Sequence, residues 1–311
     1  VIIHKAFRAS VSAILLSTHR KQQCNISSAP LLSRSREVAI MFFQDLKRGL
    51  TSISFWIGVL AFAVGMICFT SQDLLYGQEA TPLYAFDNAF SGEIPYLPAL
   101  LCVLPLGTAF YDEWNSMYYR FAISRSGWRR YTTSRILSSA LLGGLIVMLP
   151  ALIALLYCYI QYEPLPRDTM DSSFFGMLYR FPMMRMWVPY NESAIRTMSA
   201  LQYARLEGWY SVAWMLRFFL FGACWAQLGL AISAWADDWA IILVSPLVLF
   251  MILEWAANRF GTPYLAARSL IAHGGELLMY PYWVTAVLPL AWGAIFIIIF
   301  ILGMRRRKRL G

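Results

Sequence analysis

Histidines, cysteines and paired carboxylates build most catalytic and metal centres, and in this chain they are scattered. The three histidines are His4, His19 and His273. Two of them fall in the first forty residues, and His273 alone completes neither a metal site nor a nucleophilic triad. The five cysteines form no C-x-x-C pair. Cys68, Cys102, Cys158 and Cys224 lie inside apolar stretches, where a thiol acts as a small hydrophobe. No Gly-Lys pair occurs anywhere, which excludes a phosphate-cradling G-x-x-x-x-G-K-[ST] loop. What remains is charge in particular places. Residues 110–139, "FYDEWNSMYYRFAISRSGWRRYTTSRILSS", hold Asp112 and Glu113 followed by Arg120, Arg125, Arg129, Arg130 and Arg135. Asp237 and Asp238 form a second small group, and Arg217 and Glu254 stand inside apolar runs. Such groups dock, pair and orient.

The elements that position these charges are apolar. Of 311 residues, 59% are hydrophobic and 14% charged, against roughly 25% charged in a soluble domain. Twelve Trp and 17 Tyr suit rings anchored at lipid headgroups. The net charge of +9 is concentrated beside apolar segments, which points to cytoplasmic loops and tails and not to nucleic acid. A crossing helix takes about 20 apolar residues. Six segments qualify: Ser52–Thr70, the shorter Tyr96–Tyr111, Ile136–Tyr159, Ser211–Trp235, Trp239–Ala256 and Tyr282–Met304. Prolines 105, 150, 246 and 289 fall within them, which lipid-embedded helices tolerate when neighbours re-satisfy the backbone.

Basic residues orient the spans. "RRRKR" (305–309), the 112–135 loop, and Lys47 and Arg48 before the first span all read as cytoplasmic, so both termini are expected inside. Loop 72–95 has four acids and no base and reads as external. Segment 163–210 should be external as well. It carries five arginines and five acids, and long loops obey the positive-inside rule weakly. Interfacial helices on the outer leaflet account for its Met, Phe and Arg; a cap over an exit is the other reading.

Within the inward loop, Trp114, Met117, Tyr118 and Phe121 recur at i, i+3, i+4 and i+7, which predicts one apolar face of a short helix. Asp112 and Glu113 would occupy its first turn, where negative charge suits the helix dipole. Ser126-Gly127 breaks the helix, and a second one from Trp128 runs into the third span. A solvated loop whose arginines only set topology is the plainer reading.

This chain resembles the ABC-2 type permeases, the membrane subunits of type V ABC exporters. The features that carry the likeness are the amphipathic "FFQDLKRGL", an acid after the second span, and the "SRSGWRRYTTSRIL" run into the third. The resemblance covers about residues 41–311, with a 163–210 segment longer than many relatives have. It implies an all-α fold of six transmembrane helices with an N-terminal amphipathic helix. It further implies a cytoplasmic coupling hairpin docked on a separate ATPase subunit, with Glu113 at the helix start, Arg120 and Arg125 near the docking tip and Gly127 in the turn. Asp237 and Asp238 would form a second inner loop near that ATPase, and 257–281 a re-entrant outer element. ATP and Mg would sit on the partner, no cofactor on this chain, and a second permease copy would complete the cavity. The chain itself would be no enzyme; its abundant Met and aromatic residues suit a hydrophobic or amphipathic cargo and equally suit plain lipid contact.

Other classes compete. A membrane-embedded enzyme needs clustered polar groups at membrane depth, and an ion-coupled transporter usually buries acids midway along its spans. Separately, Arg217 and Glu254 are expected to pair near the outer ends of the fourth and fifth spans, a snorkelling Arg217 being the alternative. Residues 1–40 begin with Val and precede Met41, which opens "MFFQDLKRGLTSISFW", a natural start for a bacterial inner-membrane protein. They are expected to be a non-native or disordered extension, a targeting peptide being the competing reading.

Overall fold

A computed structural model describes residues 31–75, 96–105, 107–161, 200–262 and 283–310, with positions 82, 85, 86 and 94. The described residues form nine helices and no strand: α1 (Leu31–Thr51), α2 (Ile53–Leu75), α3 (Tyr96–Leu101), α4 (Gly107–Asn115), α5 (Tyr118–Ser126), α6 (Trp128–Gln161), α7 (Ala200–Ser233), α8 (Trp239–Phe260) and α9 (Trp283–Leu310). Five are long and apolar enough to cross a membrane: α2, α6, α7, α8 and α9. They coincide with five of the six expected spans.

The remaining one, Tyr96–Tyr111, is not a single helix. It is split into α3 and α4 around a turn at 102–105. Pro105 cannot donate a backbone hydrogen bond, and the chain compensates with Leu104 N–H donating to the Leu101 carbonyl (3.2 Å) and Gly107 N–H to that of Val103 (2.9 Å). The amphipathic segment before the first span lies in α1. That helix begins at Leu31, so the boundary expected at residue 40 falls inside it.

The bundle is organised around α7, whose Trp214, Phe218, Phe221 and Trp225 are buried. α6 packs on it at a crossing made by glycines. A Cβ on Gly143 or Gly222 would overlap the other's backbone oxygen, and one on Gly144 would strike the Phe219 ring. Small residues are how membrane helices approach so closely, since lipid supplies no hydrophobic drive between them. Two hydrogen bonds seal the crossing: Gln227 Nε2 to the Ile136 carbonyl (2.7 Å) and Ser139 Oγ to that of Ala226 (3.3 Å). α9 lies on another side of α7, with Gly303 against Trp235, whose indole N–H donates to the Ile299 carbonyl (3.1 Å).

At 34 residues each, α6 and α7 are about 51 Å long, well over the roughly 30 Å hydrocarbon core. The start of α6 therefore projects beyond the apolar layer. The expected external segment 163–210 and the 257–281 segment lie largely outside the described residues; within the first, 200–210 continue α7. α8 stops at a left-handed Gly261 (φ 62°), where Thr262 N–H donates to the Ala257 carbonyl (2.9 Å), a glycine C-cap.

Candidate functional site

One end of the bundle gathers most of the charge that the sequence singles out. α1, the end of α4, all of α5, the start of α6, the α7–α8 connection and the end of α9 meet there. Successive residues on a helix point about 100° apart, so Glu113 and Trp114 at the end of α4 serve two different neighbourhoods.

Glu113 is buried, 3% exposed. Its carboxylate accepts from Arg48 Nη1 on α1 (2.5 Å), from the Tyr131 hydroxyl (3.1 Å) and from Arg135 Nη2, the last two on α6. Arg135, 4% exposed, also reaches Asp45 on α1 (3.4 Å), which accepts from the Ser134 hydroxyl (2.8 Å). The guanidinium lies 5.3 Å from the Tyr131 ring centre. Two carboxylates thus bracket a buried arginine, and one contiguous network ties three helices. Burial pushes the Asp45 carboxyl above its ordinary value; Arg135, the Ser134 hydrogen bond and Arg48 oppose that rise, while Glu113 adds to it.

Trp114 faces the other way. Tyr119 stacks on its indole at 3.8 Å and 17°, and the Arg307 guanidinium of α9 lies 4.4 Å from the ring. Tyr119 fills one face, so Arg307 must cover the opposite one. Arg307 Nη2 also donates to the Ala236 carbonyl (2.9 Å) and to Asp237 Oδ1 (2.8 Å). That fixes the α7–α8 connection to the end of α9.

The expected docking residues are distributed accordingly. Glu113 is turned inward and closes α4, so neither it nor Asp112 lies in the first turn of a helix. The single helical face expected for Trp114, Met117, Tyr118 and Phe121 is interrupted: Met117 adopts the left-handed conformation (φ 58°) and α5 restarts at Tyr118. That break keeps Trp114 inside and leaves Met117, Tyr118 and Phe121 exposed. Arg120 and Arg125 are exposed on the same short helix, and Arg120 Nε donates to the Tyr119 hydroxyl (3.2 Å). Gly127 ends α5 at φ 81°, ψ 147° with open space around it, a backbone conformation reserved for glycine. Asp237 is paired with Arg307 yet 87% exposed. Asp238 caps α8, accepting from Ala240 N–H (2.8 Å).

Away from this end, Arg217 is buried in α7 and Glu254 half-buried on α8. The described cysteines form no disulfide; Cys102, Cys158 and Cys224 are buried and Cys68 exposed. Among the described residues no three His, Cys, Asp or Glu side chains cluster as a metal site would need. Sequence reasoning missed Arg48, Tyr131 and Arg135 as partners of Glu113, Asp45 and Ser134 as the next members of that network, and Arg307 as the partner of Trp114. The available signal was Tyr131 and Arg135 at i, i+4, an arginine one turn from an aromatic at the mouth of an apolar span.

No family model, no curated protein and no solved structure matches this chain.

Proposed function

We propose that this chain is the permease subunit of an ATP-driven ABC exporter of the ABC-2 type, embedded in the bacterial cytoplasmic membrane with both termini inside. One observation supports it above the rest. Met117 and, on the short helix α5, Tyr118, Phe121, Arg120 and Arg125 are exposed at one end of an apolar bundle. The preceding α4 is held there by the buried ion network of Glu113, and Tyr119 of α5 by its stack on Trp114, which Arg307 also contacts. An apolar tip ringed by arginines suits insertion into a partner's groove, and rigid bracing to α1, α6 and α9 suits the transmission of a partner's movement into the bundle.

The arrangement supplies leverage and no chemistry. ATP and Mg would be held by a separate ATPase subunit docked on α5 and on the Asp237–Asp238 connection. Closure of two such subunits would push α5, and the push would pass through Glu113 and Arg135 into α6 and through Arg307 into α9. A second permease copy would complete a pathway for a hydrophobic or amphipathic cargo. The test is reconstitution of the full chain with its ATPase subunit, with ATP hydrolysis and cargo movement measured together. Phe121→Arg should leave the two subunits folded, weaken their association and uncouple hydrolysis from cargo. Unchanged coupling in that variant would remove α5 from the transmission path and with it the basis of the proposal.

A further inference from the structure

The same end of the bundle contains a basic cleft whose walls include Arg120 and Asp237, beside the surface proposed to dock the ATPase. Two adjoining hollows of about 270 and 260 Å³ share Trp114, Tyr119, Arg120 and Arg307 as walls. Arg306, Trp235 and Asp237 complete the first, and Trp128 and Met304 the second. Three arginines face one carboxylate. Asp237 is already committed to Arg307, and neither Arg120 nor Arg306 has a carboxylate within ion-pair distance among the described residues. Each is instead steered by an aromatic ring: Arg306 lies 5.2 Å from the Trp235 ring and Arg120 5.9 Å from that of Tyr119. A guanidinium presents five N–H donors in a fixed fork suited to phosphate oxygens. Both faces of Trp114 are covered, so the cleft offers that ring to no base or other flat group.

Depth then decides the source of the phosphate. The cleft opens where the apolar spans of α7 (Ser211–Ser233) and α9 (Val287–Arg307) end, at the level of the lipid headgroups. Exposed Trp235 and Trp239 mark that interface, and basic pockets between membrane helices on the cytoplasmic side suit anionic headgroups. We infer that this cleft binds the phosphate headgroup of an anionic phospholipid, held between Arg120 of α5 and Arg306 and Arg307 of α9. This rests on the membrane setting and on the proposed cytoplasmic orientation of this end, and stands whether or not the chain couples to an ATPase.

The experiment uses the full purified chain, with retained lipid counted by native mass spectrometry and thermal stability measured with added phosphatidylglycerol, phosphatidylcholine, glycerol 3-phosphate or inorganic phosphate. Arg120→Gln/Arg306→Gln should lose one retained phosphatidylglycerol and bind it about thirtyfold more weakly, as two headgroup-facing arginines predict. Arg125→Gln/Arg129→Gln removes two exposed arginines that do not line the cleft, and should behave as the parent does. The inference is overturned if both double variants lose lipid equally, if phosphatidylcholine stabilises as well, or if either soluble phosphate substitutes for the lipid. A failure to fold would show as loss of the monodisperse species in all lipids, so Arg120→Lys/Arg306→Lys is run beside it and should retain the bound lipid.

Discussion

Replacing Glu113 with Gln keeps the shape of the side chain and deletes its charge. In the parent that charge is shared among Arg48, Arg135 and the Tyr131 hydroxyl, with 3% of the residue exposed. Afterwards Arg135, 4% exposed, retains one carboxylate, Asp45, at 3.4 Å. Removing one partner of a buried pair costs about 3–5 kcal/mol when the other charge is left uncompensated; Arg135 keeps Asp45, so the lower end, about 3 kcal/mol, is expected. At about 2–4 °C per kcal/mol in domains of this size, melting would fall on the order of 10 °C. Arg48→Gln cuts the other ion pair of the same carboxylate, but Arg48's side chain is 56% exposed, so its loss should cost about 0–1 kcal/mol. The assay is tryptophan-fluorescence melting of purified protein in detergent, with size-exclusion profiles taken before heating. A large Glu113 effect beside a small Arg48 effect is expected. Equal effects, or a Glu113→Gln shift within about 0.5 kcal/mol as for an ordinary surface change, would refute the buried network as a brace.

Asp45→Asn probes the same network by pH. Burial raises the Asp45 carboxyl above its ordinary 3.8, so between that value and its raised one the folded chain holds a proton that the unfolded chain has released. Stability should fall as pH rises through that window, and the Asn variant, which still accepts from Ser134, should lack that fall in melting curves taken from pH 4 upward. Gly127→Ala has room for its methyl but not the backbone angle. A strain of about 1–3 kcal/mol should displace α5 and lower ATPase stimulation while leaving membrane insertion intact. Gly222→Leu should separate α6 from α7, since even a Cβ there overlaps Gly143, and be read as loss of the monodisperse species on size exclusion. For an Arg217–Glu254 pair, Arg217→Glu should impair export and adding Glu254→Arg should partly restore it; a double variant no better than the worse single one leaves Arg217 snorkelling.

The long spans were legible because about 20 apolar residues in a row are a local property. The Tyr96–Tyr111 segment misled because it is short and apolar throughout, while its course depends on how Pro105 and the Leu101 and Val103 carbonyls re-pair. Between α5 and α6, the glycine at 127 announced its own break. The break at Met117 did not, since methionine carries no signal for a positive φ. Glu113 stood out as an acid after a span, but its partners lie 18, 22 and 65 positions away, beyond any periodic pattern. The basic 305–309 run is, in the sequence, a topology signal. That it also folds back on Trp114 and Asp237 is set by the packing of α9 on α7.

The most direct test of the central claim is site-specific photo-crosslinking in native membranes. A benzophenone amino acid at position 121 on α5 is compared with one at 260, at the other end of α8, 22 residues or about 33 Å along that helix. Position 121 alone should yield an adduct whose partner contains a G-x-x-x-x-G-K-[ST] peptide, and trapping ATP on that partner should change the yield. An adduct from 260 instead, or a position 121 that forms none while a membrane-impermeant reagent reaches it from outside the cell, would contradict that claim.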